Sequence, residues 1–161
     1  MSDAGESEVE IRGTPDQVWA FLWDADALGR VLPGCESIRA TGPGRYAAVI
    51  AFRTSFLTVR SDVTAEVRDP VERRSCLLAF DGSPRGFGGA FHVRVPLVFE
   101  AVGGSDEPRT GVAYRIEVDV TGRLAGIGPG MMRDALVGEI RGLAADIERE
   151  IAAGRVPAND G

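Results

Sequence analysis

The chain has 161 residues, a formal net charge of −6 and a sequence pI of about 4.9. This length predicts one domain with its own hydrophobic core. The acidic balance would repel a phosphate backbone, so no nucleic-acid partner is expected. The first ten residues lack the apolar segment of a signal peptide, and no apolar run reaches the roughly 18–20 residues that span a bilayer. These features, with two cysteines that lack metal-binding spacing, predict a cytoplasmic protein with reduced thiols, in at most transient contact with the inner membrane face.

The N-terminal segment predicts one strand followed by two short helices. Apolar and polar residues alternate in SEVEIRG, which indicates a strand. Thr14 then provides a helix N-cap, and Pro15 lies at the first helical position, where its missing N–H costs nothing. A second short helix follows and ends at the pair Pro33 and Gly34.

From Cys35 to Thr121 the apolar residues recur with a period of two. This pattern predicts about six strands, joined by turn-rich segments such as TGPG, DGSPRGFGG and GGSDEP. Short connections favour an antiparallel meander with one apolar and one polar face. The last strand is predicted to run unbroken from Val112 to Val120.

A long amphipathic helix follows the strands and ends near Gly154. Its apolar stripe consists of Met132, Leu136, Ile140, Leu143, Ile147 and Ile151. This helix is the only predicted element long enough to cover the apolar face of the sheet. If the sheet curves around the helix, a cavity remains between them. The predicted organisation is a disordered leader at 1–5, one domain at 6–153 and a flexible polar tail at 154–161.

Several motifs are similar to those of a known family. The pattern Pro-x-x-Val-Trp-x-Phe-Leu at 15–22 and the corner LPGCES at 32–37 resemble the opening of the CoxG family of carbon monoxide dehydrogenase proteins. The segments GSPRGFGGA and VTGRLAGIGPGMMRDAL resemble later parts of the same family, so the resemblance covers about residues 8–150. It implies the α+β helix-grip fold of the SRPBCC or START-like superfamily. In that fold a curved antiparallel sheet of about six or seven strands surrounds a long C-terminal helix, and two short helices follow the first strand.

The resemblance also implies a function. It implies a non-catalytic protein that binds a small quinone-like or lipid-like molecule in a hydrophobic cavity, beside a molybdenum hydroxylase such as carbon monoxide dehydrogenase. Many members continue into an apolar C-terminal segment, whereas this chain stops at Gly161, so stable membrane anchoring is not expected. The alternative is an enzyme of the polyketide cyclase or dehydratase type in the same cavity. A third interpretation is an interaction protein without a ligand, whose acidic outer face docks a redox enzyme.

The residues themselves offer little for catalysis. His92 has the strand parity of a solvent-facing residue, and no catalytic residue, metal site or cofactor is predicted. Ser61 and Tyr114 are the conspicuous polar residues on the predicted inner face. Tyr114 is either a hydrogen-bond donor to a ligand oxygen or a packed core residue. An acid such as Asp62 or Glu117 pointing inward would favour the enzyme.

Strand parity and the helix stripe predict the wall of the cavity. The predicted wall residues are Phe52, Val59, Val63, Phe80, Phe91, Val93, Tyr114, Ile116, Met132 and Leu136. The turn with Phe87 and Gly88 is predicted to form the rim. The glycine-rich segment before the long helix contains no lysine and follows a strand of an antiparallel sheet, which disfavours a phosphate loop. Gly128, Pro129 and Gly130 are instead predicted to form the hinge of a lid.

Overall fold

The computed structural model describes residues 7–53, 58–86, 88–126 and 129–157. The strands are β1 (Ser7–Arg12), β2 (Cys35–Gly42), β3 (Arg45–Arg53), β4 (Thr58–Val71), β5 (Ser75–Pro84), β6 (Ala90–Val102), β7 (Arg109–Tyr114) and β8 (Glu117–Thr121). The helices are α1 (Pro15–Ala20), α2 (Ala25–Val31) and α3 (Pro129–Ala152), with 3-10 turns at Phe21–Trp23 and Gly122–Gly126. The described strands form one curved antiparallel sheet in the order β1-β7-β6-β5-β4-β3-β2, with β8 also paired to β6. The predicted α+β helix-grip architecture is confirmed.

The last predicted strand is divided into β7 and β8, although both pair with β6. Leu97 pairs with Tyr114, and Arg94 pairs with Glu117, so the register continues across the division. Pro96 lies between these positions on β6 and has no N–H to donate to the neighbouring strand. The missing donor explains why the ladder stops for two residues and then resumes.

The two short helices begin where local chemistry predicts. The Thr14 side chain accepts a hydrogen bond from the Gln17 amide at 3.2 Å, and the Gln17 side chain accepts one from the Thr14 amide at 2.9 Å. This reciprocal capping box satisfies two amides that the first turn leaves free. Asp24 caps α2 with one hydrogen bond, which its carboxylate accepts from the Ala27 amide at 2.9 Å.

Apolar side chains on the inner face of the sheet form two clusters. The first cluster joins the short helices, the sheet and the C-terminal half of α3. Its buried members are Ile11, Val18, Trp19, Phe21, Ala27, Val31, Cys76, Phe99, Val112, Ala144 and Ile147. This cluster closes one end of the fold, and the second cluster, described with the candidate site, lies beside the N-terminal half of α3.

Hydrogen bonds fix the C-terminal end of α3 to the rest of the domain. The Glu148 carboxylate accepts from the Arg12 amide at 2.8 Å. The Glu150 carboxylate accepts from Arg30 at 2.8 Å and from Arg155 at 2.7 Å. Arg155 belongs to the segment predicted as a flexible tail, yet its guanidinium lies against Glu150. The last turn of α3 is therefore tied both to β1 and to α2.

The Glu150 ion pairs should make folding stability depend on pH. Hydrogen bonds from Arg155 and Arg30 lower the pKa of Glu150 from 4.5 to about 2. Because the folded pKa lies below the unfolded one, the stabilisation is complete above about pH 4.5 and is lost as the pH falls towards 2. We expect Glu150→Gln to unfold at lower urea than the wild type at pH 7, and this difference to shrink over that window. Glu139→Gln is the control, because Glu139 is exposed on the same helix. A stability difference between E150Q and the wild type that stays constant down to pH 2 would contradict the stabilising role of the Glu150 ion pairs.

Two glycines in the middle of α3 face open space. A methyl group added at Gly138 or Gly142 would meet no atom within 4 Å. Glycine costs a helix interior about 0.5–1 kcal/mol relative to alanine. Gly138→Ala and Gly142→Ala should therefore each raise the free energy of unfolding by about that amount, measured by urea denaturation. Gly13→Ala is the contrasting variant and should destabilise, because Gly13 has a φ of +149° and its added methyl would lie 2.8 Å from Ile151.

Candidate functional site

The second apolar cluster forms the inner face of the sheet beside the N-terminal half of α3. Its buried members are Val63, Phe91, Val93, Val95, Tyr114, Ile116 and Val120. Partly buried residues that pack against them are Val9, Ile50, Leu78, Phe80, Leu97, Val118, Leu136, Val137 and Ile140. The cluster therefore joins strands from across the sheet to one face of the helix.

Most of the predicted wall residues are in this cluster or pack against it. Phe52 and Val59 lie on neighbouring strands with the same inward parity, and Phe52 reaches the cluster through Phe91. The side chain of Met132 is outside the described residues. Val95, Val120, Val137 and Ile140 also belong to this surface. Strand alternation is the signal for Val95 and Val120, and the apolar stripe of α3 is the signal for Ile140. Contact of these residues with a ligand stays a prediction.

Several inner-face side chains keep part of their surface accessible. Phe80, Val118 and Leu136 are only half-buried although they lie on the face that the helix covers, and Phe52 is 42% exposed. Within the described chain, α3 packs mainly against β1, β8 and α2. The inner faces of β3, β4 and β5 are not among its main packing partners. The sheet and the helix thus leave apolar surface between them that no described side chain fully covers.

Phe91 and Phe52 form an aromatic pair on this surface. Their ring centroids are 6.5 Å apart and the rings are nearly perpendicular, which is the edge-to-face geometry that aromatic pairs prefer. The Phe91 ring lies over Gly82 on the neighbouring strand, where an added Cβ would be 2.3 Å from the ring. Gly82 therefore allows the ring to lie flat against the sheet.

Ser61 and Tyr114, the polar residues predicted on the inner face, are both buried in the structure. Ser61 is 1% exposed, and its hydroxyl is the buried side-chain polar atom that has no hydrogen-bond partner in the described structure. It lies on β4 opposite Ile50 and Pro84. Tyr114 is 3% exposed and is part of the second cluster, so its ring is packed as a core residue.

The acids that would have favoured an enzyme are on the outside of the sheet. Asp62 is exposed and accepts two hydrogen bonds from Arg85, at 2.7 and 3.1 Å. The hydrogen bond from Arg85 holds the pKa of Asp62 below its ordinary value. Glu117 is also exposed and pairs with Arg115 at 3.0 Å. Neither carboxylate reaches the apolar face.

His92 is also on the outer face, as its parity predicts. Its Nδ1 lies 2.6 Å from the Asp81 carboxylate, and Arg94 donates to the same oxygen at 3.1 Å. Partial burial opposes the charge on Asp81, but the hydrogen bonds from His92 and Arg94 outweigh it and lower the pKa of this carboxyl. These three side chains make a hydrogen-bonded network that covers the sheet on the side away from the cluster.

The predicted rim is described only in part. Phe87 and Gly128 lie outside the described residues, and only the backbone of Pro129 and Gly130 is described, at the start of α3. Gly88 is exposed beside the Arg123 side chain. Gly122 has a φ of +67°, and an added Cβ there would lie 2.7 Å from the Gly89 backbone. The turn between β5 and β6 is therefore in direct contact with the glycine-rich segment that precedes α3.

The two cysteines are free thiols in the structure. Burial raises the pKa of Cys76 to about 12, and it also raises the pKa of Cys35. A thiol with a raised pKa is a poor nucleophile, because the thiolate is the reactive form.

The described residues contain neither a metal-type cluster nor a membrane-spanning helix. No three His, Cys, Asp or Glu side chains in that part of the chain lie close enough together to hold a metal ion. No helix found there has the length and apolar character needed to cross a bilayer.

Two open grooves on the described surface lie away from the inner face. One, of about 400 Å³, lies where β1, the β6–β7 turn and the end of α3 meet, and its lining includes Arg12, Arg109 and Glu148. The other, of about 920 Å³, follows the β4–β5 turn and the end of β6. Both are lined in part by charged side chains, so neither has the apolar character predicted for the cavity.

The curved sheet, the long C-terminal helix and the apolar face between them define a helix-grip protein of the START-like class. Residues 7–152 match the CoxG family, which is described as a family of carbon monoxide dehydrogenase subunits, and the chain belongs to that family. The predicted resemblance is therefore confirmed, over almost the same residues. No curated protein sequence is significantly similar to the chain.

Solved structures support the same fold. A conserved protein from Geobacillus kaustophilus is 24% identical with a TM-score of 0.79, over 92% of this chain and 94% of its own. A START superfamily protein from Mycobacterium smegmatis is 13% identical with a TM-score of 0.61, over 92% and 97% of the two chains. Ara h 8.0201 is 16% identical with a TM-score of 0.62, again over 92% and 97%. At these identities the similarity shows the fold alone.

Proposed function

We propose that this protein binds a small apolar molecule, quinone-like or lipid-like, between the sheet and the N-terminal half of α3, and does not transform it. The observation that carries the proposal is the half-buried apolar surface of Phe80, Val118 and Leu136 on the face that the helix covers. An apolar ligand placed there would remove this surface from water. Burial of a few hundred Å² at about 25 cal/mol per Å² supplies several kcal/mol before the entropy of binding is subtracted.

The proposal is tested by asking what the protein carries and what it takes up. Protein purified from cells is extracted with organic solvent, and the extract is analysed by mass spectrometry. The same protein, freed of any ligand, is titrated with apolar probes. We expect a co-purified apolar compound or saturable uptake of a probe. A protein that yields no apolar compound and takes up none would contradict the proposal.

We further propose that the bound molecule serves a molybdenum hydroxylase of the carbon monoxide dehydrogenase type. The support is membership of a family that takes its description from that dehydrogenase. Affinity capture of the tagged protein from its native cells, followed by identification of the captured proteins, tests this. Recovery of a molybdenum hydroxylase above the level found with an unrelated tagged protein would support the role. Its absence would contradict the partner without affecting the ligand.

The N-terminal half of α3 is proposed as the part of the protein that opens for ligand exchange. The C-terminal end is held by Glu148 and Glu150, and its inner residues Ala144 and Ile147 are in the first cluster. The N-terminal half carries Leu136 and Ile140, which are only partly buried. Opening at this half breaks fewer buried contacts than opening at the other end.

A further inference from the structure

The inner face of the sheet carries a buried hydroxyl that no described side chain or backbone group satisfies. Ser61 lies on β4 between Val59 and Val63, and its strand neighbours are Ile50 and Pro84. With 1% of its surface exposed and no hydrogen-bond partner among the described residues, its hydroxyl is an exception among buried polar groups, which are nearly always bonded. Alanine or valine would fit the surrounding apolar face without this penalty.

Tyr114, the polar residue of the second cluster, is too far away to be the missing partner. It lies on β7, and β6 and β5 separate it from β4. Strands are spaced by about 4.8 Å, so three steps across the sheet amount to about 14 Å. Since its strand partners Ile50 and Pro84 are apolar as well, Ser61 is a polar side chain in apolar surroundings.

The hydroxyl lies on the face where the ligand is proposed to bind. Val63, the next inward residue of β4, is in the second cluster, and Phe80, which is half-buried, lies on the adjacent strand β5. The Phe91 ring lies over Gly82, which pairs with Val63. Gly82 is two residues from Pro84, the strand partner of Ser61. Because Ser61 is 1% exposed, a molecule reaches it only by displacing the Phe91 ring from above Gly82, which would bring the atoms of that molecule next to the hydroxyl.

We propose that Ser61 is the hydrogen-bonding anchor of the ligand, and that the ligand class is a largely apolar molecule with an oxygen acceptor, such as a ketone or quinone carbonyl, placed next to β4. This inference rests on the proposed function and makes it more specific. Ser61 donates one hydrogen bond to that oxygen, while the aromatic and aliphatic side chains bind the rest of the molecule. A pure hydrocarbon leaves the hydroxyl unsatisfied, and so binding selects the oxygen-bearing molecule.

The test uses two probes that differ in one carbonyl oxygen, 2-acetylnaphthalene and 2-ethylnaphthalene. Their dissociation constants are measured by calorimetry for the wild type, Ser61→Ala and the control Ser83→Ala, since Ser83 is exposed on β5. Loss of one neutral hydrogen bond weakens binding about five- to tenfold. We expect S61A to raise the ratio of the ketone dissociation constant to the hydrocarbon dissociation constant by this factor. S83A should leave that ratio at its wild-type value. Comparing ratios cancels any general effect on the cavity.

Each outcome has a distinct meaning. If both probes bind the wild type and S61A leaves the ratio of their dissociation constants unchanged, the proposal that Ser61 anchors the ligand is wrong. The proposed apolar site is then unaffected. If neither probe binds the wild type, the proposed site itself is contradicted.

Thermal unfolding of the ligand-free proteins gives a second readout, in which S61A should be at least as stable as the wild type because it removes an unsatisfied group. A clear loss of stability in S61A would show that the hydroxyl is already bonded and would overturn the anchor.

Discussion

Replacement of Trp19 by alanine is expected to lower the free energy of unfolding by about 3–5 kcal/mol. Trp19 is 3% exposed in the first cluster, and its ring meets Phe99 edge-on with centroids 5.5 Å apart. The residue joins α1 to β6, so its loss leaves a cavity at the closed end of the fold. Urea denaturation followed by circular dichroism measures the effect, which is a large part of the stability of an ordinary domain.

Trp23 provides the matched control for this prediction. It is the other tryptophan of the same segment, it touches Trp19 with ring centroids 5.9 Å apart, and it is 38% exposed. Trp23→Ala should therefore cost much less, because part of the ring already faces water. Equal losses of unfolding free energy in the two variants would mean that the difference in burial between Trp19 and Trp23 does not determine their contributions to stability.

Replacement of Leu136 by tryptophan is expected to weaken the binding of 2-acetylnaphthalene at least tenfold. Leu136 is partly buried on the inward face of α3 and packs against the second cluster. A larger side chain there would occupy the space proposed for the ligand. Because the surface is not fully covered, the free energy of unfolding should change by less than the roughly 1–3 kcal/mol typical of an overpacked core. Calorimetric titration and urea denaturation measure the two effects.

Ala135→Trp is the control for size and hydrophobicity, since Ala135 is the adjacent residue and is exposed. It should bind the probe like the wild type. Two results would contradict the prediction. Unchanged binding in L136W would place the ligand elsewhere, and a strongly destabilised L136W would show that the inner face has no free space at this position.

The inner face of the sheet could be predicted because strand parity is a local property. Alternation along β4 and β6 assigns Val63, Phe91 and Val93 to one face, and the structure places all three in one cluster. The same parity assigns His92 and Asp62 to the opposite face, where His92 contacts Asp81 and Asp62 pairs with Arg85. The half-exposure of Phe80 could not be predicted in this way, because it depends on how closely α3 approaches the sheet.

The class of this protein follows from local patterns in its sequence. Capping at Thr14, period-two strands and the 3.6-residue stripe of α3 each act over a few residues, and together with the family motifs they specify the helix grip. Three other features arise from long-range packing: the interruption opposite Pro96, the binding of Arg155 to Glu150, and the unsatisfied hydroxyl of Ser61. Each depends on which residues from distant parts of the chain become neighbours. A pattern along the chain shows which way a side chain points, but not what it meets there.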